Sequence, residues 1–384
     1  DLTISTAGSS ADYLYGFDVR NGGKADIAKG LFMNDNDAIT WSLFASGTDS
    51  KIDVNSSGNG EVQVVGDVGG YNGGAVNMNM HTNTSYLTAA SYITGNGEVN
   101  FDISNSAVWN MTGSSKATDM NINNGIVDLR ADKNRYSTLT AANLTGNGGI
   151  FKMDIDVRSM ESDKLYITDD FSGTQAIDIY QKDAYVPEGS SMEGTGLVLA
   201  SVNGNGVFTA HDREGTLFYT HYDLAHQASA TAGYATDWYL DKIITLDKPT
   251  TSVETVTAAG ALNYHTWRNE NDKLLKRMGE LRHNGADEKG AWFRVSGSKI
   301  GRSGRFDFAN KYTGYELGYD EVTKRTEAVT RYQGVALSYT DGSSGYSRGS
   351  GDNSGKGISF YNTELGSKGH YLDAVSYTHL TLPT

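Results

Sequence analysis

Short runs of alternating apolar and polar residues, separated by Gly, Asn, Asp and Ser, constrain the first 245 residues more than any other feature. A period of two places successive side chains on opposite faces of a strand, and no helical period competes with it there. The pattern therefore predicts many short strands joined by tight corners. The runs are Ala38–Phe44, Glu61–Val65, Val99–Ile103, Gly125–Leu129, Ile150–Val157, Lys164–Thr168, Ala176–Tyr180, Leu197–Val202 and Thr216–Tyr222.

A short motif recurs within this region. GNGEVQV at 58–64 matches GNGEVNF at 95–101, ITGNG at 93–97 matches LTGNG at 144–148, and VNGNG at 202–206 is a weaker copy. Asn-Gly pairs supply the positive φ that a tight corner needs. Repeated strand and corner units predict a parallel β-helix, in which each coil buries its inward residues on the next. An antiparallel sandwich that uses the same pairs as hairpin turns is the alternative.

A polar helical stretch, Ala258–Arg282, follows a Thr-rich segment, Thr245–Thr257, that is predicted to be a linker. About 25 helical residues span roughly 37 Å, which exceeds a hydrocarbon core of about 30 Å. Trp267, Leu274, Met278 and Leu281 form one narrow apolar stripe. The stretch also carries eight charged residues, so lipid would reject it and a polar lumen would accept it. A surface amphipathic helix or a coiled-coil segment would show the same pattern.

The segments after this helix alternate differently. Ala291–Ser298 places Arg294, Ser296 and Ser298 on one face and Phe293 and Val295 on the other. Tyr315–Asp320 and Gly334–Tyr339 repeat this alternation, and Lys356–Gly366 and Lys368–Ala374 are weaker strands. Strands with an apolar, aromatic outer face and a polar or small inner face are typical of an outer-membrane barrel. An isolated soluble sandwich would share the pattern.

Composition narrows the function classes. A formal net charge of −14 argues against nucleic-acid binding, and the absence of Cys excludes a disulfide scaffold and thiol zinc sites. No apolar run of about 18 residues predicts a spanning helix, and no signal peptide opens the sequence. Because Asp1–Ile4 already has a strand-like pattern, we expect the N-terminus to be a cut edge.

No residue is predicted to act in catalysis or to bind a cofactor or a metal. Gly345-Tyr346-Ser347-Arg348-Gly349 fits G-x-S-x-G, but a nucleophile elbow needs a strand before it and a helix after it. Asp154 and Asp156 flank Ile155 and are interpreted as solvent-facing carboxylates. Gly69–Gly74 has neither the Lys nor the helix of a phosphate loop. His265 and His283 of the helical region are interpreted as lumen-facing polar residues. Asp35, Asp37, Asp169 and Asp170 are interpreted as turn residues.

Several segments in order, from AVWNMTGSSKATDMNINNGIVDL at 107–129 through LTGNGGIFKMDIDV at 144–157 to Tyr239-Leu240, resemble the C-terminal passenger region of pertactin-like autotransporters. The resemblance covers about Ala107 to Lys242. It implies a right-handed parallel β-helix whose last coils form an autochaperone cap, with Trp109 and Trp238 as packing residues. A cap is physically reasonable because the open end of a solenoid exposes a strand edge and its core.

LLKRMGELRHNGADEKGAWFRVSG at 274–297 resembles the helix-to-first-strand junction of the autotransporter translocator barrel, and FDFANKYTGYELGYDEV at 306–322 resembles its second strand. At most five strands are counted, so the barrel is expected to be incomplete. Members that cleave their passenger inside the barrel carry an Asn-Asn pair where this chain has Asp272 and Lys273. The departure predicts a passenger that stays tethered.

These observations together predict an all-β chain of five parts. They are the passenger β-helix at 1–143, its cap at 144–244, the linker and plug helix at 245–283, the first barrel strands at 284–374, and 375–384, which we interpret as a translated sequencing adapter. The predicted function is a non-enzymatic, adhesin-like autotransporter in the outer membrane of a Gram-negative bacterium. The resemblance implies outer-membrane lipid, barrel-assembly machinery, periplasmic chaperones and a host-cell or matrix ligand as partners. The alternative is a carbohydrate-active or carbohydrate-binding β-helix of the polysaccharide lyase or tailspike kind.

Overall fold

A computed structural model describes residues 2–4, 14–33, 40–131, 135–182, 190–271, 289–304 and 306–383. The chain divides into two compact units, Asp1–Lys248 and Pro249–Thr384. The described part of the chain contains no helix with the length and apolar composition of a membrane-spanning helix.

The first unit is a β-solenoid, as predicted. Its strands are β1 (Leu2–Thr3), β2 (Tyr15–Arg20), β3 (Lys24–Ile27), β4 (Leu31–Met33), β5 (Trp41–Ser46), β6 (Lys51–Val54), β7 (Val62–Val65), β8 (Asp67–Tyr71), β9 (Ala75–Met80), β10 (Tyr86–Ala89), β11 (Ser91–Thr94), β12 (Glu98–Ser104), β13 (Val108–Met111), β14 (Ser115–Asn123), β15 (Ile126–Asp128), β16 (Thr138–Thr145), β17 (Asn147–Asp156), β18 (Glu161–Ser162), β19 (Lys164–Phe171), β20 (Thr174–Gln181), β21 (Ser191–Gly204), β22 (Val207–Ala210), β23 (Arg213–Glu214), β24 (Phe218–Ala228) and β25 (Thr236–Pro249).

Three parallel ladders run along the solenoid. Sheet 1 is β2, β5, β8 and β11. Sheet 2 is β3, β6, β9, β12, β14, β16, β19 and β21. Sheet 3 is β1, β4, β7, β10, β13, β15, β17, β20 and β22. The parallel pairing favours the β-helix over the antiparallel sandwich.

The core is built from columns of side chains that stack from coil to coil. In sheet 2 the column runs Val54, Met78, Phe101, Met120, Leu144 and Phe171, and each of these residues pairs with the next. All six are almost completely buried. Trp109 has no exposed surface and stacks on Phe101 with ring centroids 4.2 Å apart, which confirms its packing role.

The repeated G-N-G motifs do not all occupy the same corner of the coil. The copies at 58–60, 146–148 and 204–206 lie between a strand of sheet 2 and a strand of sheet 3, whereas the copy at 95–97 precedes β12 of sheet 2. Val62 follows the first copy and lies in sheet 3, whereas Val99 follows the second copy and lies in sheet 2. In the copies at 58, 95, 146 and 204 the first Gly has the positive φ. The similarity therefore reflects the local demand of a tight corner before a strand, and it does not mark the coil period.

Towards its end the solenoid adds antiparallel pairings to its parallel ladders. β17 pairs with β18, β21 with β25, and β23 with β24, all antiparallel. Trp238 of β25 is 8% exposed and packs edge-on against Phe208, which is consistent with its predicted packing role. A strand that runs against β21 covers the edge that would otherwise accept another parallel coil.

The second unit begins with helix α1 (Thr251–Asn271). Five antiparallel strands follow in sequential order: β26 (Lys289–Arg302), β27 (Phe308–Arg325), β28 (Val329–Tyr346), β29 (Gly349–Gly366) and β30 (Tyr371–Pro383). Four of the five predicted strand segments lie within these strands, whereas the predicted Lys368–Ala374 starts three residues before β30, which begins at Tyr371.

The predicted start of the helix at Ala258 is wrong. Thr245–Pro249 continues β25, and α1 begins at Thr251. Thr250 caps the helix, because its Oγ1 accepts from the Val253 N–H at 3.3 Å. The β-branched residues of the first turns have weak helix propensity, but the cap and the burial of Ala258 and Leu262 outweigh it.

Candidate functional site

The second unit presents an apolar band on one face of β26, β27, β28 and β29. Phe293 is 65% exposed, Leu317 55% and Phe360 57%. Neighbouring apolar residues on the same face are also exposed. They complete the band and are Val295, Tyr315, Tyr319, Leu337, Tyr339 and Ile358. A contiguous apolar face of this extent marks contact with a membrane or another protein.

The opposite face of the same strands is polar or small. Arg294 of β26 forms an ion pair there with Glu316 of β27. Ser296, Ser338 and Ser359 lie on the same side as these charges, as the strand alternation requires. The predicted division of β26, β27 and β28 into an apolar outer face and a polar inner face is confirmed.

Two aromatic rings of the inner face lie over glycines of neighbouring strands. The indole of Trp292 covers Gly318, and the ring of Tyr361 covers Gly334. The indole Nε1 of Trp292 donates to the Tyr361 hydroxyl at 3.3 Å. The rings therefore connect β26 to β29 across the two strands between them.

We expect Gly334→Ala to destabilise the five strands, because the added Cβ would lie 2.3 Å from Tyr361 and 2.5 Å from Asp320 Oδ1. Overpacking of this kind costs about 1–3 kcal/mol. The measurement is the temperature at which the folded protein loses its heat-modifiable migration on gels. Gly345→Ala on the same strand is the control, since nothing lies within 4 Å of its Cβ. Equal melting temperatures for the two variants would contradict the packing role.

Helix α1 contacts β26, β27 and β30, so the sheet curls around the helix from its first strand to its last. The buried stripe is Ala258, Leu262 and Thr266, four residues apart, and His265 packs on Phe308 of β27 with ring centroids 5.7 Å apart. Trp267 of the predicted apolar stripe is 44% exposed, and Leu274, Met278 and Leu281 of that stripe lie outside the described residues. At the other end Arg348 donates to Thr251 Oγ1 at 3.4 Å.

Those candidate polar residues that the structure describes form no catalytic site. Ser347 and Arg348 form the turn between β28 and β29, so G-x-S-x-G lacks the helix of a nucleophile elbow. Gly69–Gly74 spans the end of β8 and a turn. Asp169 and Asp170 lie within β19, not in a turn, at an irregularity in its pairing with β16. The described residues contain no group of acidic and His side chains that would hold a metal. Asp35, Asp37, Asp272, Lys273 and His283 lie outside the described residues.

Asp154 and Asp156 do not act as a pair. Asp156 accepts from the backbone of Arg158 at 2.8 Å, which holds the pKa of its carboxyl below the usual range. Asp154 is part-buried beside Lys182, 3.7 Å away, and burial raises its pKa. Its close carboxylate neighbour is Asp163, which is 1% exposed and accepts from the Asp154 N–H at 2.7 Å.

Burial raises the pKa of Asp163 to about 6. The groups that face it are Asp154, Lys182 and the Ser137 N–H, which donates to it at 2.6 Å. The folded state therefore holds the Asp163 proton at pH values where the unfolded chain has released it.

We expect the ionisation of this carboxyl to lower the free energy of unfolding of the solenoid as the pH rises from about 4 to about 6. Above that range its unfavourable contribution should be constant. Since a pKa change of one is worth about 1.4 kcal/mol, the full difference is roughly 3 kcal/mol. Denaturant unfolding of wild type and Asp163→Asn across this pH range measures it. The free energy of unfolding of the wild type should fall relative to that of Asp163→Asn as the pH rises. A difference that does not depend on pH would overturn the assignment.

The sequence did not identify one further cluster, on the outer face of sheet 1. Tyr15, Trp41, Phe44, Tyr71 and Tyr92 lie there together, with neighbouring ring centroids 5.0–5.8 Å apart. Phe44 and Tyr92 flank Gly69 in register although they are 25 and 23 residues from it in the sequence. Only the coil register brings them together, and β8 and β11 were not predicted as strands.

The described fold combines a β-solenoid with a helix and antiparallel strands that carry an apolar face. The sequence pattern of the Pertactin family matches residues 117–242. Residues 117–242 are thus similar to a pertactin-like β-helix passenger region, and the helix and antiparallel strands after them resemble the start of an autotransporter translocator barrel.

Relatives by sequence agree with this class. The chain is 26% identical over 292 residues to the Serine protease pet autotransporter of Escherichia coli O44:H18, covering 72% of this chain and 21% of that protein. It is 25% identical over 315 residues to Autotransporter CRAC of Citrobacter rodentium, covering 75% and 19%. It is 27% identical over 283 residues to Serine protease EspP of Escherichia coli O157:H7, covering 72% and 21%. The chain thus spans about a fifth of the length of these curated relatives.

Proposed function

We propose that this chain delivers a β-helical passenger to the surface of a Gram-negative bacterium and holds it there. The observation that carries the proposal is the two-faced second unit. One face of its strands exposes an apolar band, and the other is polar and curls around α1. An outer-membrane barrel needs lipid on the first side and a polar lumen on the second.

The experiment that tests the membrane role follows the full-length protein in cells. We expect it in the outer-membrane fraction, with a gel migration that changes on heating, because a folded barrel resists detergent until it is heated. The passenger should be cut by protease added to intact cells. A soluble periplasmic protein with unchanged migration would refute the proposal.

We infer that the passenger stays attached to its translocator. The support is sequence alone, because Asp272 and Lys273 stand where the resemblance to the autotransporter junction implies an Asn-Asn pair in members that cleave their passenger. Neither side chain offers the amide that cyclises in such a cleavage. The passenger should remain with the cells in the wild type, and its quantitative release into the medium would contradict tethering.

The passenger itself we propose to be adhesin-like and non-enzymatic. The names of several relatives, among them Pet, Sat, EspC, SepA, EspP and EatA, describe serine proteases. The matched segments cover 71–75% of this chain, which consists of the solenoid, the helix and the antiparallel strands. Lack of cleavage of casein or a serpin by the displayed full-length protein would support the proposal, and proteolysis blocked by a serine-directed inhibitor would overturn it.

Five regions are proposed on this basis: the β-helix at 1–143, the cap at 144–244, the plug region at 245–283, the barrel strands at 284–374 and a foreign tail at 375–384. The register of β30 supports the last boundary. Val375 pairs with Tyr361 and Ser376 with Phe360, so the apolar residue lies on the inner face and the polar one on the outer face. The four preceding strands carry their exposed apolar residues on the outer face, and their inner face is polar or small apart from aromatic rings such as Trp292 and Tyr361. Translation of the genomic DNA beyond Ala374 tests this boundary.

A carbohydrate-active β-helix stays the second candidate, because one outer face carries acidic and basic side chains together. Asp128, Arg130, Asp154 and Lys182 lie on or beside sheet 3. Their charges are used internally, since Arg130 donates to Asp128 at 2.7 and 2.8 Å and stacks on Tyr180. Depolymerisation of an acidic polysaccharide, abolished by Asp154→Asn, would favour this candidate.

A further inference from the structure

The aromatic cluster on sheet 1 occupies a face that a solenoid ordinarily covers with polar side chains. Its five residues, Tyr15, Trp41, Phe44, Tyr71 and Tyr92, are called the sheet 1 aromatic patch below. Tyr92 is 40% exposed and the other four are half-buried. They point away from the core, because Leu43 and Val68 of the same strands are buried with no exposed surface. The patch therefore adds nothing to the interior.

Trp41 lies at the centre of the patch, over the backbone of Gly69. A Cβ built on Gly69 would lie 2.6 Å from Trp41 Cζ3 and 2.8 Å from Tyr71 Cε2. Phe44, Tyr71 and Tyr92 stand around the indole at interplanar angles of 60–83°. Glycine at position 69 thus lets the indole settle onto the sheet with the other rings against it.

The charges around the patch are internally balanced. Arg20 donates to Asp18 at 2.7 Å and lies over the Phe44 ring at 5.2 Å. Asp67 accepts from the Ala90 N–H at 2.9 Å. The chain as a whole carries a net charge of −14. An anionic polymer or an anionic lipid surface would find no unpaired basic side chain among these residues.

The spacing of the rings also excludes a cation cage. Neighbouring centroids lie 5.0–5.8 Å apart, so the rings touch one another and leave no space for a quaternary ammonium group. The patch crosses the four strands of sheet 1, a distance of roughly 14 Å at about 4.8 Å per strand. It is an elongated platform of uncharged aromatic rings, three of which carry a hydroxyl.

We propose that the sheet 1 aromatic patch binds a neutral glycan chain. Sugar rings present flat C–H faces that stack on aromatic rings, and their hydroxyls bond to the tyrosine hydroxyls and to Asp18 and Arg20 beside them. The elongated shape fits several consecutive sugars. The inference deepens the proposed adhesin-like role by naming the class of ligand, but the binding itself does not depend on surface display.

The test uses the full chain, purified in detergent, and titration calorimetry with neutral hexasaccharides, cellohexaose and maltohexaose. We expect saturable binding to at least one of them and none to a heparin hexasaccharide. Gly69→Ala keeps every ring but lifts the indole from the sheet, and Tyr92→Ala removes the most exposed ring. Each should weaken binding by about tenfold or more, as loss of a central aromatic contact does.

Tyr86→Ala is the matched control, because Tyr86 points outward from sheet 3 and lies outside the patch. It should bind as the wild type does. Circular dichroism and thermal melting of each variant separate lost binding from lost fold. Absence of binding to both neutral hexasaccharides, equal affinity in Gly69→Ala and wild type, or preference for heparin would each overturn the proposal. Surface display of the same variants is measured separately, so failure of export is distinguishable from failure of glycan binding.

Discussion

Deleting residues 144–242 is expected to abolish display of the passenger at the cell surface, whereas deleting residues 1–55 is expected to leave it intact. The first deletion removes the antiparallel closure of β21 by β25 and the aromatic residues that fill the last coils. The deletion of residues 1–55 removes coils at the other end of the solenoid, and the remaining parallel ladders stay paired. A solenoid without its closed end exposes a strand edge and a core.

The measurement is flow cytometry with an antibody against residues 56–143, which both variants retain. The 144–242 deletion should fall to the signal of cells that lack the protein, and the 1–55 deletion should match the wild type. The amount of each protein in the outer membrane is the control for expression. If both deletions lose display, or both keep it, the cap has no special role.

Phe171→Ala is expected to destabilise the end of the solenoid by about 3–5 kcal/mol, the usual cost of removing a buried Phe side chain. Phe171 is fully buried, closes the sheet 2 column and stacks on Phe208 with ring centroids 4.5 Å apart. Chemical denaturation of the full chain, followed by tryptophan fluorescence, measures the loss.

Val207→Ala is the control for this substitution, because Val207 lies next to Phe208 on β22 and is 44% exposed. It should change stability by less than about 0.5 kcal/mol. A loss below 1 kcal/mol for Phe171→Ala would mean that the stack contributes little and that the last coils are held by their backbone pairing.

The sequence predicted the strands of the second unit and their faces well, because each alternates over many residues. Phe293, Val295 and Leu317 are exposed where the alternation placed them. The solenoid was predicted as a class, but its register was not. Short strands such as β4 and β13 carry three or four residues, too few for a period to appear.

Two failures have definite physical causes. The start of α1 was misplaced because Thr and Val have weak helix propensity, whereas the Thr250 cap and the packing of Leu262 decide the fold there. The sheet 1 aromatic patch was missed because Trp41, Gly69 and Tyr92 meet only through pairing between coils. Neither signal exists within one short stretch of sequence.

The coil register has a mechanical consequence for a protein that folds as it emerges. Val76 pairs with Val99, so one coil at that level consumes 23 residues. An extended chain of that length reaches about 80 Å, whereas one added coil lengthens the solenoid by only about 5 Å. Each small increase in the length of the solenoid therefore takes up a much longer stretch of unfolded chain. The folding free energy of each coil is spread over that length of chain. The average force on the unfolded chain is therefore small, but it acts again with every coil.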